Sequence, residues 1–271
     1  MKKSILLATA LFSLGTAPIL SGCLNSGTDV PQREELVIQE SLRLNNWFAS
    51  RYEEQLARSP MSRTYLGMTD GMGQLDDISQ TAQDEGIALA ESWLDELRRD
   101  FDIDRLDDQT RLSYRLFEAS IEDQLATHAV TTNDYVFSHM SGPHSDLPSF
   151  LINYGKVESV KDAYSYISRL RAVKTYLGQA QSRSEAQFEA GVSMPKFVYA
   201  KVTQASLNVI TGAPFSEGED SPLWADIKAK VEKLETTDDK KSELLSDAKD
   251  ALLTSVQPGY LSLISMFETQ S

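Results

Sequence analysis

The chain has 271 residues, a formal net charge of −14, three histidines and a single cysteine, Cys23. So acidic a surface repels phosphate backbones, which argues against nucleic acid as a partner. One cysteine excludes an internal disulfide, so stability has to come from packing.

Met1-Lys2-Lys3 is followed by the apolar stretch Ile5 to Leu20 and then by Leu20-Ser21-Gly22-Cys23. That order reads as a secretory signal ending in a lipoprotein cleavage box. The small side chains of Ser21 and Gly22 let an extended segment enter a peptidase cleft, and the Cys23 thiol accepts the diacylglyceryl group. A membrane-spanning anchor fits less well, because Gly15 and Pro18 interrupt a run shorter than the ~20 apolar residues that cross a bilayer. The expected organisation is a leader over 1–22, a lipidated tether over 23–33 and a helical domain over 34–271. Asn25 to Gln32 is small, polar and proline-containing, as a flexible tether would be. Removal of Lys2 and Lys3 with the leader leaves no basic patch there, so membrane attachment rests on the lipid. Leu24 is not an acidic retention signal, which points to the periplasmic side of the outer membrane.

From Glu34 onward apolar residues recur at helical spacing and strand-like alternation is scarce. Val37, Leu44, Phe48, Tyr52 and Leu56 share one face of a first long helix. Ser59-Pro60 starts a short second element, and the glycines between Gly67 and Gly73 make a turn. A helix over about Thr81 to Arg99 carries Ile87, Ala90, Leu94 and Leu97 inward. Another over Thr110 to His128 places Tyr114, Phe117, Ile121 and Leu125 on one side. Val130 to Phe150 breaks the pattern and reads as a long loop with at most one short strand, at Tyr135-Val136-Phe137. Ser159-Val160-Lys161-Asp162 resembles a capping box. It opens a long helix lined by Val160, Ala163, Ile167, Leu170, Val173 and Leu177, which Gly191 ends. Pro195 opens the next, which Gly212 ends, and Ser221-Pro222 starts a helix carrying Trp224, Ile227, Val231 and Leu234. A last helix spans roughly Lys240 to Phe267, with Pro258 as a break or kink. The expected fold class is all-α, an irregular array of eight or nine helices.

The residues offer no complete catalytic set. His128, His139 and His144 lack the His-Glu-x-x-His spacing that places two imidazoles around zinc. No Gly-x-Ser-x-Gly turn presents a serine nucleophile. The pairs Asp76-Asp77, Asp107-Asp108 and Asp238-Asp239 suit turns and helix starts. His144 stands out because Gly142-Pro143 and Pro148 constrain its surroundings, although a histidine bonded to loop backbone would look the same. Arg169 lies on an otherwise apolar side of its helix, where it can anchor a substrate carboxylate or pair with a buried acid.

Several segments together resemble a known family, the bacterial lipoproteins of domain of unknown function 885. They are Arg111 to Glu118, Gly142 to Leu151, Ser159 to Tyr164 with Arg169-Leu170, Pro195 to Val198, Asn208 to Phe215, Leu223-Trp224 and Val256 to Tyr260. Members of that family are about twice as long, and their C-terminal half is similar to helical zinc peptidases. The resemblance implies that this chain is the N-terminal half, forming one wall and the lid of a cleft, with His144, Ser145 and Arg169 as candidates for substrate contact. It implies no metal ligand among these residues and no cofactor in this chain; zinc would come from the other half. Gln257 to Ser271 keeps its helical period almost to the end, as a helix cut short would. The alternative is a non-catalytic helical lipoprotein that docks a peptide or a partner protein.

Overall fold

A computed structural model of the protein describes residues 29–130 and 134–271. Cys23 and the expected leader over 1–22 lie outside the described residues. Among the described residues ten α-helices follow one another: α1 (Asp29–Ala57), α2 (Pro60–Tyr65), α3 (Gln80–Asp100), α4 (Asp108–His128), α5 (Pro143–Tyr154), α6 (Val160–Glu189), α7 (Lys196–Val209), α8 (Pro222–Glu232), α9 (Asp238–Ala251) and α10 (Gln257–Gln270). No strand is present among the described residues; Ala213 and Asp220 form one isolated bridge.

The helix starts follow the expected chemistry. Ser59, Ser79, Asp107, Ser159 and Thr237 each accept a hydrogen bond from the amide three residues on, which satisfies a donor that has no helical partner. Three elements depart from the expectation. First, α1 begins at Asp29, five residues ahead of Glu34, where the helical apolar spacing begins; Pro31 falls in the first turn, where its missing amide costs no helical bond. Second, the loop expected over Val130 to Phe150 gives way at Pro143 to α5. Tyr135-Val136-Phe137 finds no strand partner, and Phe137 instead packs into the core. Third, the break expected at Pro258 falls just ahead of it. A π-helical segment, Leu252–Val256, separates α9 from α10 one turn before Pro258, and the wider turn accommodates a residue without an amide hydrogen.

The main core gathers α5 to α10 around α6. Ala163, Ile167, Leu170, Val173 and Leu177 are buried along one side of α6, as their spacing predicts. The π-helical turn lets α10 approach α6 closely. Ser255 Oγ donates to the Arg171 carbonyl at 2.8 Å and accepts from the Lys174 amide at 3.1 Å. One helical turn on, Gly259 faces the same helix; a Cβ there would stand 3.2 Å from Lys174 Cα. A separate cluster joins α1, α3 and α4 through Leu44, Leu97, Phe101, Leu106 and Tyr114. Tyr52, expected on the buried side of α1, is exposed at the edge of that cluster.

The connection between α2 and α3 is tied to α6 by polar contacts. Gln179 accepts from the Ile78 amide at 3.1 Å and donates to Asp77 at 2.9 Å. Arg169 reaches the same connection further along.

Candidate functional site at the junction of α2, α5 and α6

Helix α5 carries His144 and Ser145, and its first turn is built by local chemistry. Gly142 holds φ +138° just before Pro143, a backbone conformation that side chains disfavour. The Asp146 carboxylate accepts from the Gly142 amide at 3.0 Å, and Ser145 Oγ donates to the Gly142 carbonyl at 3.2 Å. An acid at this end also complements the helix dipole. At the other end Lys230 Nζ donates to the Ile152 carbonyl at 2.9 Å and pairs with Asp226 at 2.6 Å.

His144 is 2 % exposed. Its ring meets Phe137 edge-on at 5.7 Å between centroids, and its Nδ1 is buried without a hydrogen-bond partner. Burial holds its pKa below the ordinary histidine value, against a smaller opposing pull from Asp146. The His144 carbonyl accepts from the Tyr260 hydroxyl at 2.8 Å. Tyr260 is itself buried, which drives its phenol well above the usual range.

Arg169 is 1 % exposed. Its Nε donates to the Gln74 carbonyl at 2.9 Å and its Nη2 to Thr64 Oγ1 at 2.5 Å, while the guanidinium lies 4.9 Å over the Phe150 ring. Neutral oxygens therefore hold this cation, and no carboxylate among the described residues bonds it directly. Desolvation lowers its pKa to about 10, with Asp76 opposing, so it stays charged at neutral pH. Asp76 is occupied with Ser59 Oγ and the Met61 amide, both at 2.8 Å.

Arg169 and His144 thus belong to one assembly, joined through Phe150 and α5, but both side chains are closed to solvent as folded. Ser145 is half-buried and Asp146 is exposed. The groups that reach the surface here were not singled out from the sequence. Tyr65 and Tyr154 meet edge-on at 4.4 Å, and Tyr65 meets Phe150 at 5.2 Å. Tyr176 on α6 lies in the same field: burial first, then Asp76, Asp146 and Tyr65, push its phenol up to about 12, against Arg183. Arg169, Tyr176 and Arg183 stand seven residues apart, which places them on one face of α6; that polar stripe is the signal that would have found Tyr176.

Zinc does not fit the side chains described. No group of three or more histidine, cysteine or acidic residues is placed to hold a metal among the described residues. The histidines are scattered: His128 lies 3.6 Å from Asp84, His139 packs against Phe197, and His144 is buried. No helix among the described residues is long and apolar enough to cross a membrane.

These features define an all-helical domain whose buried polar groups brace helix ends and a connection. The chain belongs to DUF885, a family of bacterial proteins of unknown function, whose profile matches residues 60–271; α1 precedes the matched stretch. The comparison with curated proteins gives no match. Among solved structures the chain is similar to the crystal structure of the "putative lipoprotein from Colwellia psychrerythraea", with a TM-score of 0.67 and 16% identity. The similarity covers 88% of this chain and 41% of that one. It shows the shared fold, and this chain spans about two fifths of that protein's length.

Proposed function

We propose that this chain is the helical wall and lid portion of a lipid-anchored cell-envelope protein resembling zinc-dependent peptidases, with the metal supplied by polypeptide outside these residues. The observation that carries it is the match of residues 60–271 to the DUF885 family. The extent of the match supports the same reading, since the fold accounts for 41% of a longer protein described as a lipoprotein. In this reading the α2–α5–α6 junction faces the cleft. Ser145 and the exposed edges of Tyr65 and Tyr154 would meet a peptide, while His144 and Arg169 keep α5 and the α2–α3 connection in place beneath them. The partners are a membrane, through lipid on Cys23, and short peptides; the acidic chain disfavours nucleic acid. The proposed location is the periplasmic face of the outer membrane.

Two measurements test the reading. Labelling with a radioactive fatty acid in a bacterial host should mark the chain and leave Cys23→Ser unmarked; equal labelling of both would count against the anchor. A longer family member should hydrolyse short peptides, and a chelator should stop it. Absent or chelator-insensitive hydrolysis would remove the peptidase half of the proposal.

A further inference from the structure

Where the start of α3 meets α6, the two helices border a groove of about 480 Å³. Ser79 and Gln80 line it from one side, and Thr175, Gln179, Ser182 and Arg183 from the other. Gly178 and Ala186 complete the α6 side. Glycine weakens a helix interior, yet a Cβ at Gly178 would meet nothing within 4 Å. No close packing requires this glycine; what its missing side chain leaves is open groove.

Arg183 is half-buried and differs from the other described arginines that are not exposed. Arg51, Arg63 and Arg111 each pair with a carboxylate, and Arg169 is closed to solvent with its bonds made. Around Arg183, among the described residues, stand neutral oxygens only. The Gln83 amide presents its oxygen to the guanidinium, 2.7, 3.3 and 3.0 Å from Nη1, Nε and Nη2. One oxygen that close to all three nitrogens of a planar group lies over its face rather than in its plane. The Ile78 carbonyl takes an Nη1 hydrogen at 3.5 Å, so the Nε–Nη2 edge keeps its in-plane donors. Neither of those nitrogens is sealed from solvent without a partner, as Arg51 Nε is. Burial lowers the pKa of Arg183, and the opposing influence is Tyr176, a phenol that is uncharged at neutral pH. A desolvated cation without a counter-ion favours an incoming anion.

The free edge and the charge of the chain narrow that anion. Two parallel N–H donors in one plane match the two oxygens of a carboxylate. Arg183 is the one cation among the described lining residues, and Asp77 stands beside the groove, bonded to Gln179 at 2.9 Å. In a chain of net charge −14 a doubly charged phosphate meets more repulsion than a carboxylate. The hydroxyls and amides of the lining both donate and accept, which suits a polar ligand body.

We propose that this groove binds a small organic carboxylate through Arg183; a free organic acid and the C-terminus of a short peptide present the same group. The test is a titration of the purified chain at neutral pH, followed through the arginine Nε–H signals in proton–nitrogen correlation spectra. Arg183→Lys identifies the Arg183 signal by its loss. The probes are N-acetyl-dialanine, its C-terminal carboxamide, butanoate and inorganic phosphate. A carboxylate should shift the Arg183 signal saturably, with a Kd on the order of 1 mM, and the carboxamide should bind at least about tenfold more weakly. Arg183→Lys, read by the neighbouring backbone amides, should weaken the carboxylate about tenfold because the fork is gone. Gly178→Leu projects into open space and favours the helix, so the chain should melt no lower and carboxylate binding should disappear. Tighter binding of N-acetyl-dialanine than of butanoate would assign the groove to a peptide terminus and join it to the function proposed above. Equal binding would assign it to a free organic acid and leave the site standing without that function. No saturable carboxylate binding, equal affinity for the carboxamide, tighter binding of phosphate, or indifference to Gly178→Leu would overturn the proposal.

Discussion

The Tyr260 hydroxyl supplies the His144 carbonyl with the hydrogen bond that Pro148 cannot make. In an uninterrupted helix that carbonyl would accept from the amide of residue 148, which here is a proline inside α5. The hydroxyl reaches it at 2.8 Å from α10, 116 positions away in sequence. Tyr260→Phe should therefore leave a buried carbonyl unpaired and cost about 1–3 kcal/mol in chemical denaturation. Adding Pro148→Ala restores an amide donor and should recover part of that loss. Additive effects of the two substitutions would contradict the pairing.

Acid should weaken the fold through His144. Burial depresses its folded-state pKa below the ordinary value, so the unfolded chain binds the extra proton first. Stability is then full above about pH 6.5 and falls as the pH drops through that range. The denaturation midpoint at pH 5 should lie below that at pH 7, and His144→Asn should flatten the difference. An unchanged slope in the variant would show that His144 does not titrate this way.

The repeating apolar residues of α3, α4 and α6 and the caps at Ser59 and Ser159 were legible because helix periodicity and capping are local. Helix α5 was not legible. Pro148 reads as a helix breaker, and the donor that rescues it comes from α10. The same limit applies to Arg169. Its sequence neighbours suggest an acid partner, whereas its bonds go to a main-chain oxygen at Gln74 and a hydroxyl at Thr64, which only the tertiary fold delivers. Of the candidate site, the positions His144, Ser145 and Arg169 could be chosen from the sequence. Their burial, and the tyrosines around them, could not.

Because Arg169 is a buried cation held by neutral acceptors, its replacements should rank in an unusual order. Arg169→Lys keeps the charge but cannot span both oxygens or lie flat on Phe150, and should cost about 3 kcal/mol. Arg169→Met removes the buried charge, leaves the Gln74 carbonyl without its donor and should cost about 1–2 kcal/mol. Denaturation midpoints that place the lysine variant above the methionine variant would contradict this description of the site.

In alkali, Tyr176 should contribute to unfolding. Its folded-state pKa of about 12 lies above the ordinary value of 10, so its contribution is full below pH 10 and is lost as the pH rises towards 12. Tyr166 and Tyr260 are raised as well and act in the same direction, while Arg169, lowered to about 10, opposes them. Tyr176→Phe should make the fall in stability between pH 10 and 12 shallower by about 2 kcal/mol. An identical fall in the variant would remove Tyr176 from the account.

The most direct measurement is the zinc content of the purified chain together with its hydrolysis of short peptides. A wall whose metal comes from other polypeptide should retain no stoichiometric zinc after dialysis and show no hydrolysis that a chelator stops. One tightly held zinc per chain, with peptide cleavage lost on chelation and restored by zinc, would contradict it.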